Sequence, residues 1–187
     1  MRIRTRIVML ATLGLCIAAA VRGTTLARMS LDQLAVVADA VARVRCVGAE
    51  SRWEADGIWT RTTFDVLETL KGSLPRRVVV RLPGGRVGHL TTTVDATPKF
   101  AAGEEAYVFL ERWQGGDFSL TAWIEGTFRI GRDPRTGQET VTQDSSAFAV
   151  FDTAARRFYT EGIRRMPSEQ FRARVALAIA RAPEKTQ

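Results

Sequence analysis

Apolar positions change rhythm along this chain, and each change marks an element. Ile7 to Ile17 is an almost unbroken apolar run, preceded by Arg2, Arg4 and Arg6 and followed by Ala18-Ala19-Ala20. A charged start, a short apolar middle and small residues at the exit describe an export signal, cleaved before Val21. The run is shorter than the roughly 20 residues a helix needs to span a bilayer, so no membrane anchor is expected after cleavage. Val21 to Met29 lacks periodicity and reads as a flexible leader. Ser30-Leu31-Asp32-Gln33 is a capping box, and Leu31, Leu34 and Val37 then recur at helical spacing up to about Ala38.

From Asp39 the period becomes two. In Ala42-Arg43-Val44-Arg45-Cys46 apolar residues alternate with arginines, which predicts a half-buried strand running to about Trp53. Ala55-Asp56-Gly57 turns the chain into a second strand, Ile58 to Leu70. A three-residue loop with Gly57 left-handed would set Trp53 opposite Trp59, Cys46 opposite Val66 and Gly48 opposite Phe64. The glycine facing a ring would then bend the strand. Arg77 to Leu82 is a third strand, stopped by Pro83-Gly84-Gly85. Arg86 to Lys99 is polar and threonine-rich, a long loop or irregular edge. Ala106 to Leu110 is apolar on both faces, as in a central strand covered on each side.

Phe118 to Trp123, Gly126 to Ile130 and Glu139 to Thr142 follow as strands, with Asp133 to Gly137 as a surface turn. Ala147 to Phe151 and Arg157 to Thr160 form an accessory hairpin. A last helix opens at Pro167-Ser168, aligns Phe171, Val175, Ala178, Ile179 and Ala182 on one stripe, and stops at Pro183. The fold expected is mainly β: an OB-like barrel of five to six strands with a short N-terminal and a longer C-terminal helix. It forms one domain over residues 30–182, and 183–187 is a tail.

Charge adds little. Without Arg2, Arg4 and Arg6 the 27 basic and 20 acidic residues become 24 and 20, and the formal charge falls from +7 to +4. Acids are interleaved with arginines, as in Arg52-Trp53-Glu54, whereas a nucleic-acid binder concentrates one sign on one face. Cys16 leaves with the signal, and Leu15 before it does not fit lipoprotein processing, which wants a small residue there. Cys46 remains as the single thiol, so no intramolecular disulfide is expected, although an extracytoplasmic compartment permits one. A periplasmic or secreted monomer without a membrane anchor is the expectation.

The catalytic inventory is thin. His89 is the sole histidine, and no zinc-ligand spacing or strand-Ser-turn motif surrounds it. Gly84-Gly85-Arg86-Val87-Gly88 is not followed by a helix, as a phosphate-cradling loop would be. Asp133 to Gly137 holds a single carboxylate, too few for calcium. No metal or other cofactor is therefore expected. Trp53 and Trp59 near the tip of the first hairpin, rimmed by Arg52, Arg61 and Glu54, have the composition of a contact patch.

The order of these signals resembles a known family. Ala38-Asp39-Ala40-Val41 entering a strand, then Val44 to Gly48, Leu70-Lys71-Gly72 and Gly103-Glu104-Glu105-Ala106-Tyr107-Val108-Phe109-Leu110, is similar to the netrin-like module over roughly residues 38 to 130. That module, shared with tissue inhibitors of metalloproteases, is an OB-fold barrel, and the whole chain looks like uncharacterised exported bacterial proteins of this layout. The inhibitors chelate the target's zinc through a disulfide-bonded N-terminal cysteine. Here no cysteine lies near Val21, so that role does not transfer. The resemblance implies the fold and a binding role.

The leading expectation is an exported, non-catalytic binding module for an extracytoplasmic protein or ligand. Its contact surface would be the first hairpin and the loop from Gly84 to Lys99, with Trp53, Trp59, Arg52, Arg61, Arg86 and His89 as candidate residues. The alternatives are a hydrolase using His89 and an OB barrel that binds oligonucleotides or other polyanions.

Overall fold

The computed structural model describes residues 28–147, 150–152, 155–159 and 162–181. The expected signal, most of the leader, Ala182 of the last stripe, Pro183 and the tail lie outside these residues. Helix α1 (Leu31–Val37) forms as its capping box predicts. Ser30 Oγ accepts from Gln33 N at 3.2 Å, and Ser30 N donates to Gln33 Oε1 at 2.7 Å. At its other end, Lys71 Nζ donates to the carbonyls of Ala35 and Ala38, both at 2.6 Å, satisfying acceptors the helix leaves open.

Five strands close into a ring. Strand β1 (Ala40–Glu54) pairs with β2 (Gly57–Lys71), and β2 with β3 (Arg77–Pro83). After an excursion through a small hairpin, β4 (Gly85–Val87) and β5 (Leu90–Thr92), the chain enters β6 (Glu105–Arg112). Strand β6 runs antiparallel to the first part of β1, from Ala40↔Leu110 to Arg45↔Glu105. Strand β7 (Phe118–Leu120) pairs antiparallel with β6 and parallel with β3 at Val80↔Phe118. The circuit β1-β2-β3-β7-β6-β1, with one parallel contact, is an OB-like barrel.

The sheet then extends beyond the barrel. Strands β8 (Thr127–Arg132), β9 (Glu139–Gln143) and β12 (Met166–Pro167) add to the free part of the β6 edge. Strands β10 (Val150–Asp152) and β11 (Arg157–Tyr159) pair as the accessory hairpin expected from the sequence. The final helix α2 is Ser168–Arg181.

Strand β6 separates two cores, as its two-sided apolarity predicts. Ala106, Val108 and Leu110 point into the barrel with Val44, Cys46, Phe64, Val80 and Leu120. Tyr107 and Phe109 point outward and meet Leu34, Phe128, Phe171 and Val175 from the two helices and β8. Both faces are buried, so each ring in this strand carries the full hydrophobic benefit, about 1.5–3 kcal/mol per large side chain. The helices thus cover the barrel side formed by β1 and β6.

Several boundaries differ from expectation. Trp53 lies opposite Ile58, not Trp59, because the turn holds two residues, with Glu54 paired to Gly57 (φ 140°). Cys46 faces Phe64 and Gly48 faces Thr63. The ladder shifts by one residue between Cys46 and Gly48, so a bulge at Val47 bends the strand, and no ring sits against the glycine. Residues 86–99 hold the β4–β5 hairpin where a loop or irregular edge was expected. Strand β7 stops at Leu120, and a tight turn through Ala122 and Trp123, both at positive φ, takes the place of the predicted strand end.

Candidate functional site

Past the bulge, Gly48 to Glu54 and Gly57 to Thr63 form an overhanging two-stranded arm with two distinct faces. Strand alternation and register put Ala49, Ser51 and Trp53 on one face with Thr62, Thr60 and Ile58. They put Glu50, Arg52 and Glu54 on the other with Arg61, Trp59 and Gly57. After β3 the chain crosses back over the first of these faces. The crossing begins at Gly84 and Gly85, with φ of 88° and 134°. A Cβ on Gly85 would strike Ser51 Oγ and Thr60 Oγ1, so only glycine permits this approach. Two hydrogen bonds fasten it, Gly84 N to Ile58 O at 2.8 Å and Thr60 Oγ1 to Gly84 O at 2.7 Å, and within the arm Ser51 Oγ meets Thr60 Oγ1 at 2.9 Å.

Between the arm and the crossing chain lies a groove of about 300 Å³. Leu82, Pro83, Val94 and Phe100 give it apolar walls, and Ser51, Thr60, Thr62 and Thr91 to Thr93 border it with hydroxyls. Phe100 also seals the barrel, edge-on to Phe64 with ring centres 4.9 Å apart. Two charged residues line the groove, Arg86 and Lys99, and no carboxylate does. Arg86 Nε donates to Gly88 O at 3.0 Å, which leaves its two terminal nitrogens without a partner among the described residues. The Lys99 ammonium likewise makes no hydrogen bond or ion pair there; only its carbonyl is engaged, by Arg129.

On the other face of the arm the charged side chains are paired, although Arg81 Nε is buried without a hydrogen-bond partner. Arg81 from β3 lies over the Trp59 ring at 3.9 Å from its centre, with Trp113 at 5.8 Å, and its guanidinium meets Glu54 at 2.5 Å. Trp59 Nε1 donates to Asp56 at 2.8 Å. Arg61 pairs with Asp117, Arg52 with Glu50 and Arg77 with Asp65, at 2.8, 2.9 and 2.8 Å. The Arg52 hydrogen bond holds the Glu50 carboxyl below its ordinary range and raises the guanidinium in turn.

The six candidate residues therefore divide between two surfaces. Trp53 is 63 % exposed at the tip of the groove face, with Arg86 at the groove itself. Trp59, Arg52 and Arg61 belong to the opposite face, so the two tryptophans do not share one patch, contrary to the expected register. His89 is exposed in the turn between β4 and β5 and bonds to no acid or hydroxyl among the described residues. A hydrolytic base must be hydrogen-bonded to both its nucleophile and an orienting acid, and His89 has neither. Sequence reasoning missed Arg81 and Trp113, which complete the Trp59 cluster. Arg81 fits the alternation of β3, on the outward parity with Arg77 and Val79, so the pattern placed it on the right face without marking it as special.

Two further polar clusters brace the fold. Arg43 bridges Glu105 and Glu139 at 2.6 and 2.9 Å, and Arg45 joins Glu105 at 2.6 Å. Burial opposes the Arg43 charge, but the two carboxylates outweigh it and hold the guanidinium above its usual range. Glu125, 3 % exposed, accepts from Gln143 Nε2 at 2.8 Å. Burial pushes its carboxyl up to about 6, against the pull of Ser145, Arg28 and Gln143. Ser145 Oγ itself falls short of hydrogen-bond geometry. Cys46 is buried on β1, its thiol raised by burial and by Glu104, the reverse of a reactive nucleophile. Among the described residues no group of three His, Cys, Asp or Glu side chains is placed to hold a metal ion, and no helix is long and apolar enough to cross a membrane. No family model matches the chain, and no curated protein matches it.

Proposed function

We propose that this chain is an exported, non-catalytic binding module that takes its ligand in the groove between the β1–β2 arm and the crossing segment Gly84 to Phe100. The carrying observation is the groove: two elements singled out as contact surface converge on one concavity with apolar walls, hydroxyls and two cations that hold no carboxylate among the described residues. Such a combination of apolar area and a few polar groups is the usual make-up of small-ligand sites, at the lower end of their size range. Trp53, exposed beside it, supplies a further apolar contact for whatever enters. The barrel topology is compatible with the netrin-like resemblance, which belongs to this proposal together with export and a periplasmic or secreted location.

Oligonucleotide binding finds less support. Phosphate contacts gain affinity by replacing counterions on free cations, and the arginines of the outer face already hold carboxylates. The hydrolase reading finds none in the surroundings of His89.

Capture from an extracytoplasmic extract tests the proposal, with the protein compared against Ala49→Trp. Ala49 is an exposed strand residue that lines the groove, so an indole there fills it without touching either core. Eluates are analysed for both small molecules and proteins. A species retained by the native protein and lost with Ala49→Trp, at unchanged circular dichroism, is the expected result. Identical eluates from the two proteins would remove the groove from consideration.

A further inference from the structure

The groove is lined by two cations, Arg86 and Lys99, and by no carboxylate. Arg43, Arg61, Arg77, Arg81 and Arg129 each hold a carboxylate within ion-pair distance. Among the described residues Arg86 and Lys99 do not, nor do Arg76, Arg132 and Arg135, but Arg86 and Lys99 line a concavity whose walls are mainly apolar. A cation at an apolar groove with no acid among the lining residues leaves one charge type unmatched, and an anion on an apolar body supplies it. Resting on the groove reading above, we propose that the ligand is a small anionic amphiphile. An aliphatic or aromatic body lies against Leu82, Pro83, Val94 and Phe100, and a carboxylate is held by Arg86 and Lys99.

Three features favour this chemistry over others. The volume, about 300 Å³, accommodates a small molecule and not a folded partner. The bordering threonines present methyl groups as well as hydroxyls, so the walls accept an alkyl chain while still offering donors to a head group. Glu50, Glu54 and Asp117 lie on the other face of the arm and are already held by arginines, and no carboxylate is among the residues that line the groove. A cationic or strongly hydrogen-bonding neutral ligand would meet no acceptor side chain other than these hydroxyls.

Titration of octanoate, octan-1-ol and octylammonium into the isotope-labelled protein, followed by amide chemical shifts, tests the assignment. Octanoate is expected to shift Thr60, Gly85, Thr92 and Phe100 saturably and to bind at least about fivefold tighter than octan-1-ol, with octylammonium weakest. The double variant Arg86→Gln/Lys99→Gln should weaken octanoate about tenfold, two modest ion pairs' worth, and leave octan-1-ol unchanged. Equal affinity for octanoate and octan-1-ol at the same amides overturns the anionic assignment while the groove survives as a site. Octanoate shifts confined to the Arg61 and Arg77 face, or no shifts at all, also overturn it, and the Ala49→Trp capture then judges the groove reading by itself. An N-acetylated leucine tripeptide with a free carboxyl terminus that binds tighter than octanoate would assign the groove to a protein terminus instead.

Discussion

On the outer face of the β1–β2 arm every long side chain has an assignment: Arg61 to Asp117, Arg52 to Glu50, Arg81 to Glu54 and the Trp59 ring. On the groove face of the same two strands the Thr60 hydroxyl, itself bonded to that of Ser51, holds the crossing chain, and the cations that follow, Arg86 and Lys99, hold no acid among the described residues. Both faces carry arginine and tryptophan, so composition does not separate them. What separates them is whether the polar groups find partners within the chain. A satisfied cluster stiffens the arm; an unsatisfied one leaves interaction free energy for something outside.

The largest expected effect falls on the groove side, at its anchor. Gly85→Ala introduces a Cβ into the Ser51 and Thr60 hydroxyls at a φ that side chains rarely adopt. Strain and overpacking together should cost about 3 kcal/mol in urea denaturation and also lift the crossing chain from the arm. A loss below about 1 kcal/mol would mean that the crossing is loosely held and the groove is not a built feature. On the outer face, Arg81→Ala removes a stacked guanidinium that is 17 % exposed and strands the Glu54 carboxylate. About 2 kcal/mol of destabilisation is expected. Arg81→Lys should recover part of it, because the charge returns and the planar stack does not.

A titration separates both faces from the buried Glu125. Its folded-state carboxyl titrates at about 6 against 4.5 for an unperturbed glutamate, chiefly through burial. The fold therefore prefers the protonated form. The associated stability is complete below pH 4.5 and is lost as pH rises through 6. The 1.5-unit gap corresponds to about 2 kcal/mol. Glu125→Gln should flatten that part of the stability–pH profile while leaving the ion pairs of the outer face untouched. An unchanged profile in the variant would place the titration elsewhere.

How much of this was legible in the sequence depended on the physical signal involved. Ala106 to Leu110 announced its two buried faces because alternate residues are all apolar, and the two cores divide along that parity. The capping box of α1 announced itself through two side chains three residues apart. The first hairpin's register did not. One inserted residue at Val47 reverses parity, and with small residues on either side at Gly48 and Ala49 no apolar pattern records the change. The two-residue turn at Ala55 and Asp56, in place of the expected three-residue loop, sent Trp53 and Trp59 to opposite faces. Strands β4 and β5 were hidden for a different reason: β5 is exposed at every residue and has no buried side from which an alternation could be read. The groove depends on contacts between Gly85, Ser51 and Thr60, which only the folded chain brings together.

The smallest effects are expected at the groove's own cations, and they complete the contrast. Arg86 spends one hydrogen bond on the carbonyl of Gly88, two residues away, and Lys99 spends none from its side chain within the described residues. Neither charge braces another element, so Arg86→Gln and Lys99→Gln should each change stability by no more than about 0.5 kcal/mol. The Arg81 variant loses several times that although Arg81 lies against the same arm, because its partners are left behind when it goes. A destabilisation from Arg86→Gln as large as from Arg81→Ala, measured in parallel denaturation curves, would mean that the groove cation has a structural partner after all. The distinction between a saturated and an open face would then collapse.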